Sequence, residues 1–207
     1  MTPREIGEQC NRILAQRELA NNLERIRNAG ARVLYRAVDV TEPAAVIDAV
    51  ATAREELGPI TTLIHGAGVL ADLLIEDKTA ELFDRVYDTK VLGLRALLDA
   101  TASDPLRAIV LFSSSTGRFG RKGQVDYAIA NEVLNKTAQH EARRRANARV
   151  VSVNWGPWDG GMVTPELRKL FLAEGVGVIP LKAGADYLMQ ELALQNGPAE
   201  VAVLGSD

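Results

Sequence analysis

Ile109-Val-Leu-Phe-Ser-Ser-Ser-Thr116, followed by Gly123-Gln-Val-Asp-Tyr-Ala-Ile-Ala-Asn131, is the stretch on which the reading of this chain turns. The apolar, β-branched run from Ala108 to Phe112 predicts a buried parallel strand. Ser114 then falls at its carboxyl end, where open α/β sheets place their ligands. A long helical pattern follows, from Tyr127 to Arg145, and within it Tyr127 and Asn131 stand four residues apart, so both side chains share one face.

Working outward, the same alternation recurs. Strands are expected at Arg32 to Val38, Thr61 to His65, Arg149 to Asn154 and Glu200 to Leu204. Helices fill the intervals at Ala44 to Leu57, Ala80 to Ala100 and Ala183 to Gln195, with a shorter one at Pro165 to Ala173. This spacing indicates parallel βαβ units in an α/β fold. At the amino end, Thr2-Pro-Arg-Glu5 reads as a helix start, with Thr2 as N-cap, proline at the first helical position and Glu5 closing a capping box. High helix propensity continues to Ala29, and Gly30 supplies a stop. The expected organisation is a single domain over 1–207, with a leading helix in 1–30 and an α/β core in 31–207.

The chemistry suggested by these residues is proton donation to a carbonyl. A phenol has an unperturbed pKa of about 10, so a tyrosine acting as an acid near neutral pH needs a fixed positive charge beside it. Lys90, in the helical stretch Ala80 to Ala100, can supply that charge if its helix packs beside the one carrying Tyr127. Composition narrows the remaining classes. The chain has 207 residues, 47% of them hydrophobic, which suits one domain with a substantial core. A net charge of −3 gives no reason to expect nucleic acid. Cys10 is the only cysteine and His65 and His140 the only histidines, so neither an internal disulfide nor a metal cluster is expected. No signal peptide, membrane-length apolar run, internal repeat or linker is legible, and the expected location is cytoplasmic.

Tyr127-Ala-Ile-Ala-Asn131 with an upstream Lys90 resembles the ketoreductase domains of modular polyketide synthases and related fatty-acid synthases, a branch of the short-chain dehydrogenase/reductase superfamily. Most of that superfamily uses Tyr-x-x-x-Lys with an upstream asparagine, and this branch exchanges the two. The resemblance continues through Asp39-Val-Thr, His65-Gly-Ala-Gly-Val-Leu-Ala-Asp72, Thr89-Lys-Val-Leu-Gly93 and Asn154-Trp-Gly-Pro-Trp-Asp-Gly-Gly-Met162. With Gly177-Val-Ile-Pro-Leu-Lys-Ala-Gly184, the wording looks most like the ketoreductase of bacterial polyunsaturated fatty-acid synthases. The match runs from about Ala31 to the end of the chain and implies a Rossmann-like, mostly parallel sheet flanked by helices. It also implies an NADPH-dependent reduction of a β-ketoacyl group carried on an acyl carrier protein, among other synthase domains.

By that resemblance Lys90, Ser114, Tyr127 and Asn131 are catalytic. Asp39, Val40, His65, Gly66, Ala67, Gly68, Gly156 and Pro157 join Lys90 and Tyr127 around the cofactor. Asp72, Trp158 and Met162 are assigned to substrate and stereocontrol. The superfamily also opens with a strand and a Thr-Gly-x-x-x-Gly-x-Gly turn for the cofactor pyrophosphate. No such segment occurs here, so the sheet is expected to be truncated at its N-terminus and the phosphate site to be absent.

Most of these residues also admit an ordinary structural role. Asp39 before Thr41-Glu-Pro43 fits a cap or turn as well as an adenine contact. His65 reads first as a packed strand-end residue, and its following glycines as points of close backbone approach. Tyr127 and Ser114 taken singly fit a packing phenol and a strand-end cap, and Lys90 a solvated helix charge. The tryptophans of 155–158 fit a rigid turn with core indoles, or a nicotinamide wall with a Gly160-Gly161 lid hinge. Arg143-Arg-Arg145 fits a dipole-complementing helix end better than a carrier-protein contact. A second functional reading is a non-catalytic scaffold or interaction fragment of such a synthase, whose unpaired strand edges favour homodimerisation or strand exchange.

Overall fold

The computed structural model describes residues 2–161 and 163–206, apart from the side chains of Pro3, Arg4, Glu8 and Asn11. Four strands, β1 (Thr62–His65), β2 (Ala108–Ser114), β3 (Arg149–Trp155) and β4 (Glu200–Val203), form one parallel sheet in that spatial order. The helices are α1 (Pro3–Asn28), α2 (Pro43–Leu57), α3 (Ala80–Ala100), α4 (Ser115–Phe119), α5 (Val125–Arg144), α6 (Pro165–Ala173) and α7 (Leu181–Ala193). A 3₁₀ turn at Ile75–Asp77 lies between β1 and α3.

The central strands carry continuous apolar runs because both faces are covered. On one face Ile109, Leu111 and Val150 pack with Leu94 of α3 and Leu134 and Ala138 of α5. On the other, Val110, Val151, Val153 and Trp155 pack with Ile179, Tyr187 and Leu188, under α7. Strand β1 is covered on one side only. Its Leu63 and His65 are buried while Thr62 and Ile64 are exposed, and its outer edge pairs with no strand among the described residues.

Helix α1 begins as expected, with the Thr2 hydroxyl accepting from the Glu5 amide and the Glu5 carboxylate accepting from the Thr2 amide at 2.6 Å. Gly30 follows its end at φ 83°, a backbone conformation that favours glycine. The described side chains of α1 are exposed almost throughout.

The expected strand at Arg32 to Val38 does not form. A strand is held by ladder hydrogen bonds to a neighbour, and among the described residues no strand pairs with this segment. Side chains hold it on α2 instead, where Arg32 donates to the Glu56 carbonyl and Arg36 to the Thr52 hydroxyl at 3.2 Å. The remaining strands and helices form where expected, with shifts of a few residues at their ends.

Candidate active site

Ser114 ends β2 in extended backbone and caps α4, its hydroxyl accepting from the Thr116 amide at 3.1 Å. The short α4 turns the chain into α5, and the close contact between these helices depends on Gly117. A Cβ there would stand 2.8 Å from Cβ of Asn131 and 3.2 Å from the α5 backbone. Under α5 runs a buried polar ladder. The single hydroxyl proton of Ser113 is shared between the Asn131 carbonyl (3.1 Å) and Oδ1 of Asn154 (2.9 Å), and Asn135 bridges Asn154 and Ser152 at 3.0 and 2.7 Å. Because the side chains of Ser113, Asn135, Ser152 and Asn154 all find partners, the ladder fixes the register of α5 against β2 and β3.

Lys90 is the buried cation of the site, 3% exposed on α3. Its ammonium donates to the Phe112 carbonyl at 3.0 Å and stands 5.4 Å from the centre of the Tyr127 ring. Burial pulls its pKa down to about 8, against an ordinary lysine value of 10.5. Lysine has three N–H donors, so the bond to Phe112 leaves capacity for further acceptors. Asn131 is fully buried, its amide donating to the Tyr127 carbonyl at 2.7 Å, while its Oδ1 has no partner among the described residues. An unpaired buried acceptor of this kind is unusual and suits a cation or a bound hydroxyl.

For Tyr127 the structure departs from expectation. Lys90 was to pull the phenol down, but burial raises its pKa above the ordinary value, against hydrogen bonding with Asn131 and Ser114 that lowers it. The Asp72 carboxylate adds a further upward push. The lysine lies over the ring face, where its field on the phenolic oxygen is weaker than in an end-on ion pair.

His65 accepts no acid–base role in this geometry. Its Nε2 donates to the Lys90 carbonyl at 2.9 Å, and burial drops its pKa to about 4, so it is neutral across the physiological range. It ties the end of β1 to α3. Of the glycines that follow it, Gly68 lies close to Lys90, where a Cβ would sit 3.1 Å from Cε. Asp39 forms the turn rather than the helix cap. Its Oδ1 accepts from the Thr41 amide and hydroxyl at 2.9 and 2.7 Å, which holds its carboxyl below the usual range, while Glu42 occupies the N-cap of α2. Val40 beside it reaches Gly93, at which a Cβ would stand 2.8 Å from Cγ2 of Val40, so this glycine of the Thr89–Gly93 motif admits the Asp39–Val40 turn.

The residues after β3 form a rigid wall. Gly156 donates to the Val203 carbonyl at 2.7 Å and the Pro157 carbonyl accepts from Ile179 at 2.7 Å. Trp158 packs edge-on to Trp155 at 4.8 Å between ring centres and lies against Gly184 of α7, where a Cβ would come within 2.3 Å of the indole. Gly160 and Gly161 have φ of 152° and 62°, consistent with a bend between this wall and α6. Met162 lies outside the described residues.

One polar residue beside the site escaped sequence reading. Gln124, three before Tyr127, donates to Asp72 at 2.8 Å and its amide oxygen accepts from the Thr116 hydroxyl at 3.2 Å. It thereby links the segment carrying Asp72 to both α4 and α5. An amide side chain immediately preceding the helix of Tyr127 was the available signal.

A parallel sheet flanked by helices makes this a Rossmann-like fold, with a serine at one strand end, a lysine over a tyrosine ring and a buried asparagine gathered in one place. The KR domain family matches residues 9–160, and this chain belongs to that family of ketoreductase domains in the short-chain dehydrogenase/reductase superfamily. It is 42% identical to a polyunsaturated fatty acid synthase polypeptide of Thraustochytrium sp. (strain ATCC 26185 / S-3), over 98% of this chain and 7% of that protein. It is 30% identical to the polyketide synthase PksN of Bacillus subtilis (strain 168), over 99% of this chain and 4% of the other. Among solved structures, a ketoreductase domain from the bacillaene assembly line superposes with a TM-score of 0.81 at 31% identity, covering 90% of this chain and 46% of that one. An N-terminal ketoreductase from the macrolactin assembly line gives 0.81 at 27% identity, covering 92% and 37%. The chain thus spans less than a tenth of the synthases it resembles and less than half of these structures' chains.

Proposed function

We propose that this chain carries the catalytic part of a ketoreductase that reduces a β-ketoacyl thioester, held on an acyl carrier protein, within a polyunsaturated fatty-acid or polyketide synthase. The observation that supports this reading most directly is the buried Lys90 ammonium over the Tyr127 ring, with the unpaired Asn131 Oδ1 close by in α5. NADPH, when bound, supplies the hydride. The residues that fit its nicotinamide ribose are Lys90, with donor capacity left, and Tyr127, while Gly68 leaves backbone open beside Lys90, and Gly156 and Pro157 are assigned to the nicotinamide wall. Asp39 and Val40 are assigned to the adenine side.

Each side chain then has a physical task. Ser114 donates a hydrogen bond to the substrate carbonyl oxygen, limiting charge build-up there. Tyr127 delivers the proton to that oxygen as it becomes an alkoxide. Lys90 stabilises the phenolate that remains, and Asn131 orients the lysine or the water that returns the proton. Since burial raises the resting phenol's pKa, proton loss is held back until charge develops on the substrate oxygen.

A second reading, an interaction fragment of the same synthase that pairs through a strand or a second copy, draws on the outer edge of β1, unpaired among the described residues, beside exposed Ile64. The experiment that separates them is NADPH oxidation with a β-ketoacyl thioester, measured on these 207 residues and on the chain with ketoreductase sequence added upstream. Turnover in the extended protein supports the reductase. Inertness of both, with self-association, supports the scaffold.

A further inference from the structure

Three tethers join the segment after β1 to the start of α5, and one of them lies wholly out of solvent. The Leu73 amide donates to the Gly123 carbonyl at 3.0 Å, and Gln124 donates to Asp72. The third is an ion pair. Lys78, at the end of the 3₁₀ turn, donates to Oδ2 of Asp126 at 2.6 Å and to the Ala71 carbonyl at 2.7 Å. The side chains of Lys78 and Asp126 are 3% and 1% exposed. The other oxygen of Asp126, Oδ1, accepts from the amide of Tyr127 at 2.9 Å.

A buried ion pair is weak evidence for stability, because the desolvation of two charges offsets most of their attraction. Its geometric consequence is stronger. One carboxylate holds the backbone of the proton-donating tyrosine with one oxygen and the Ala71–Lys78 segment, through the lysine, with the other. That segment presents Leu73, Leu74 and Ile75, all exposed, together with Asp72, whose charge acts on the Tyr127 phenol. A carbonyl bound at Ser114 and Tyr127 can turn either face to the hydride, and the choice depends on which side its acyl chain leaves the site. A wall fixed at Tyr127 makes that choice.

We propose that Lys78 and Asp126 are a positioning pair that locks the Asp72–Ile75 segment against Tyr127 and so fixes which face of the β-carbonyl is reduced. The inference rests on the ketoreductase reading above and adds two residues that touch neither substrate nor cofactor. A purely structural pair would be replaceable by neutral side chains of similar shape without consequence for the product. A positioning pair would not.

The test uses the reductase in its active, upstream-extended form, comparing wild type, Lys78→Met and the double variant Lys78→Met/Asp126→Asn. The double variant removes both charges at nearly constant volume, and its asparagine side chain keeps an acceptor for the Tyr127 amide. It is therefore the arm expected to fold even where the single variant, with a lone buried carboxylate, does not. Chiral analysis of the 3-hydroxyacyl product, kcat and KM, and hydrogen exchange of the Leu73 amide are measured together. The pair as proposed gives a folded double variant whose ratio of major to minor enantiomer falls at least tenfold, whose kcat/KM falls at least tenfold, and whose Leu73 amide exchanges at least tenfold faster. A double variant with wild-type enantiomeric ratio and kcat/KM, or one that does not fold, overturns the proposal and makes the pair structural. A wild type that reduces no β-ketoacyl thioester instead removes the reading on which the proposal rests, and is recognised by inertness before any substitution is compared.

Discussion

Replacing Lys90 by methionine should make the protein more stable while removing its activity. A lysine free in solution titrates near 10.5, whereas Lys90, 3% exposed, is pulled down to about 8 by desolvation of its ammonium. That gap corresponds to about 3 kcal/mol against the charged form. The sign follows from proton binding. Between about pH 8 and 10.5 the unfolded chain holds a proton that the folded chain has released, so stability gains from this residue as pH rises. The full penalty applies below about 8 and is relieved by about 10.5. Methionine fills nearly the same volume without the charge but forfeits the charge-assisted bond to the Phe112 carbonyl, a loss of about 1.5–2 kcal/mol. The net gain at pH 7 is therefore about 1–1.5 kcal/mol, or roughly 2–6 °C in Tm for a domain of this size. Calorimetric melting of both proteins from pH 7 to 10.5 checks this. The difference should shrink and then reverse as pH rises, other titrations cancelling between the two. A methionine variant less stable than wild type at pH 7, or a difference independent of pH, would refute the desolvation argument. In the extended protein the same substitution should cost both turnover and cofactor affinity, since the proposed mechanism has the lysine serve the tyrosine and the ribose together.

Three further outcomes are expected. The 3-hydroxyacyl product should be D-configured, because Leu70-Ala-Asp72 resembles the Leu-Asp-Asp motif of ketoreductases that give that product, with the final aspartate kept and the middle one replaced, and because no tryptophan, the mark of the opposite class, occurs in residues 116–126; chiral chromatography giving the L-hydroxyl would show that this resemblance does not carry over. Gly184→Ala should destabilise by about 1–3 kcal/mol, since its methyl would stand 2.3 Å from the Trp158 ring, which Trp155 already confines; an unchanged denaturant midpoint would contradict that packing. Residues 1–207 alone should bind NADPH too weakly for useful turnover, for want of a pyrophosphate-binding turn, and micromolar binding by calorimetry would show that another segment supplies those contacts.

The sequence made the parallel core legible because β2 and β3 are covered on both faces, and their continuous apolar runs carry that fact in composition. Arg32 to Val38 carried a strand-like pattern too, but pairing depends on a neighbour and cannot be read from the segment itself. In the candidate site, the helical spacing of Tyr127 and Asn131 was visible, whereas the stand of Lys90 over the tyrosine ring depends on how α3 packs beside α5. The upward direction of the Tyr127 pKa was missed for the same reason, since burial belongs to the assembled core. Gly93 stands out in the sequence only as part of the Thr89–Gly93 motif, and nothing marks Gly117. Their role, admitting Val40 and the α5 backbone, emerges only from contacts between distant segments.

The central claim is that Tyr127 delivers the proton in β-ketoacyl reduction, and Tyr127→Phe tests it most directly. The phenol is partly buried and its hydroxyl can be removed with little change in packing, so the variant should melt close to wild type. NADPH oxidation by the upstream-extended protein with a β-ketoacyl thioester should fall by about 10²–10⁴-fold, the contribution of a positioned general acid. Turnover near the wild-type rate in a folded Tyr127→Phe protein would contradict the account.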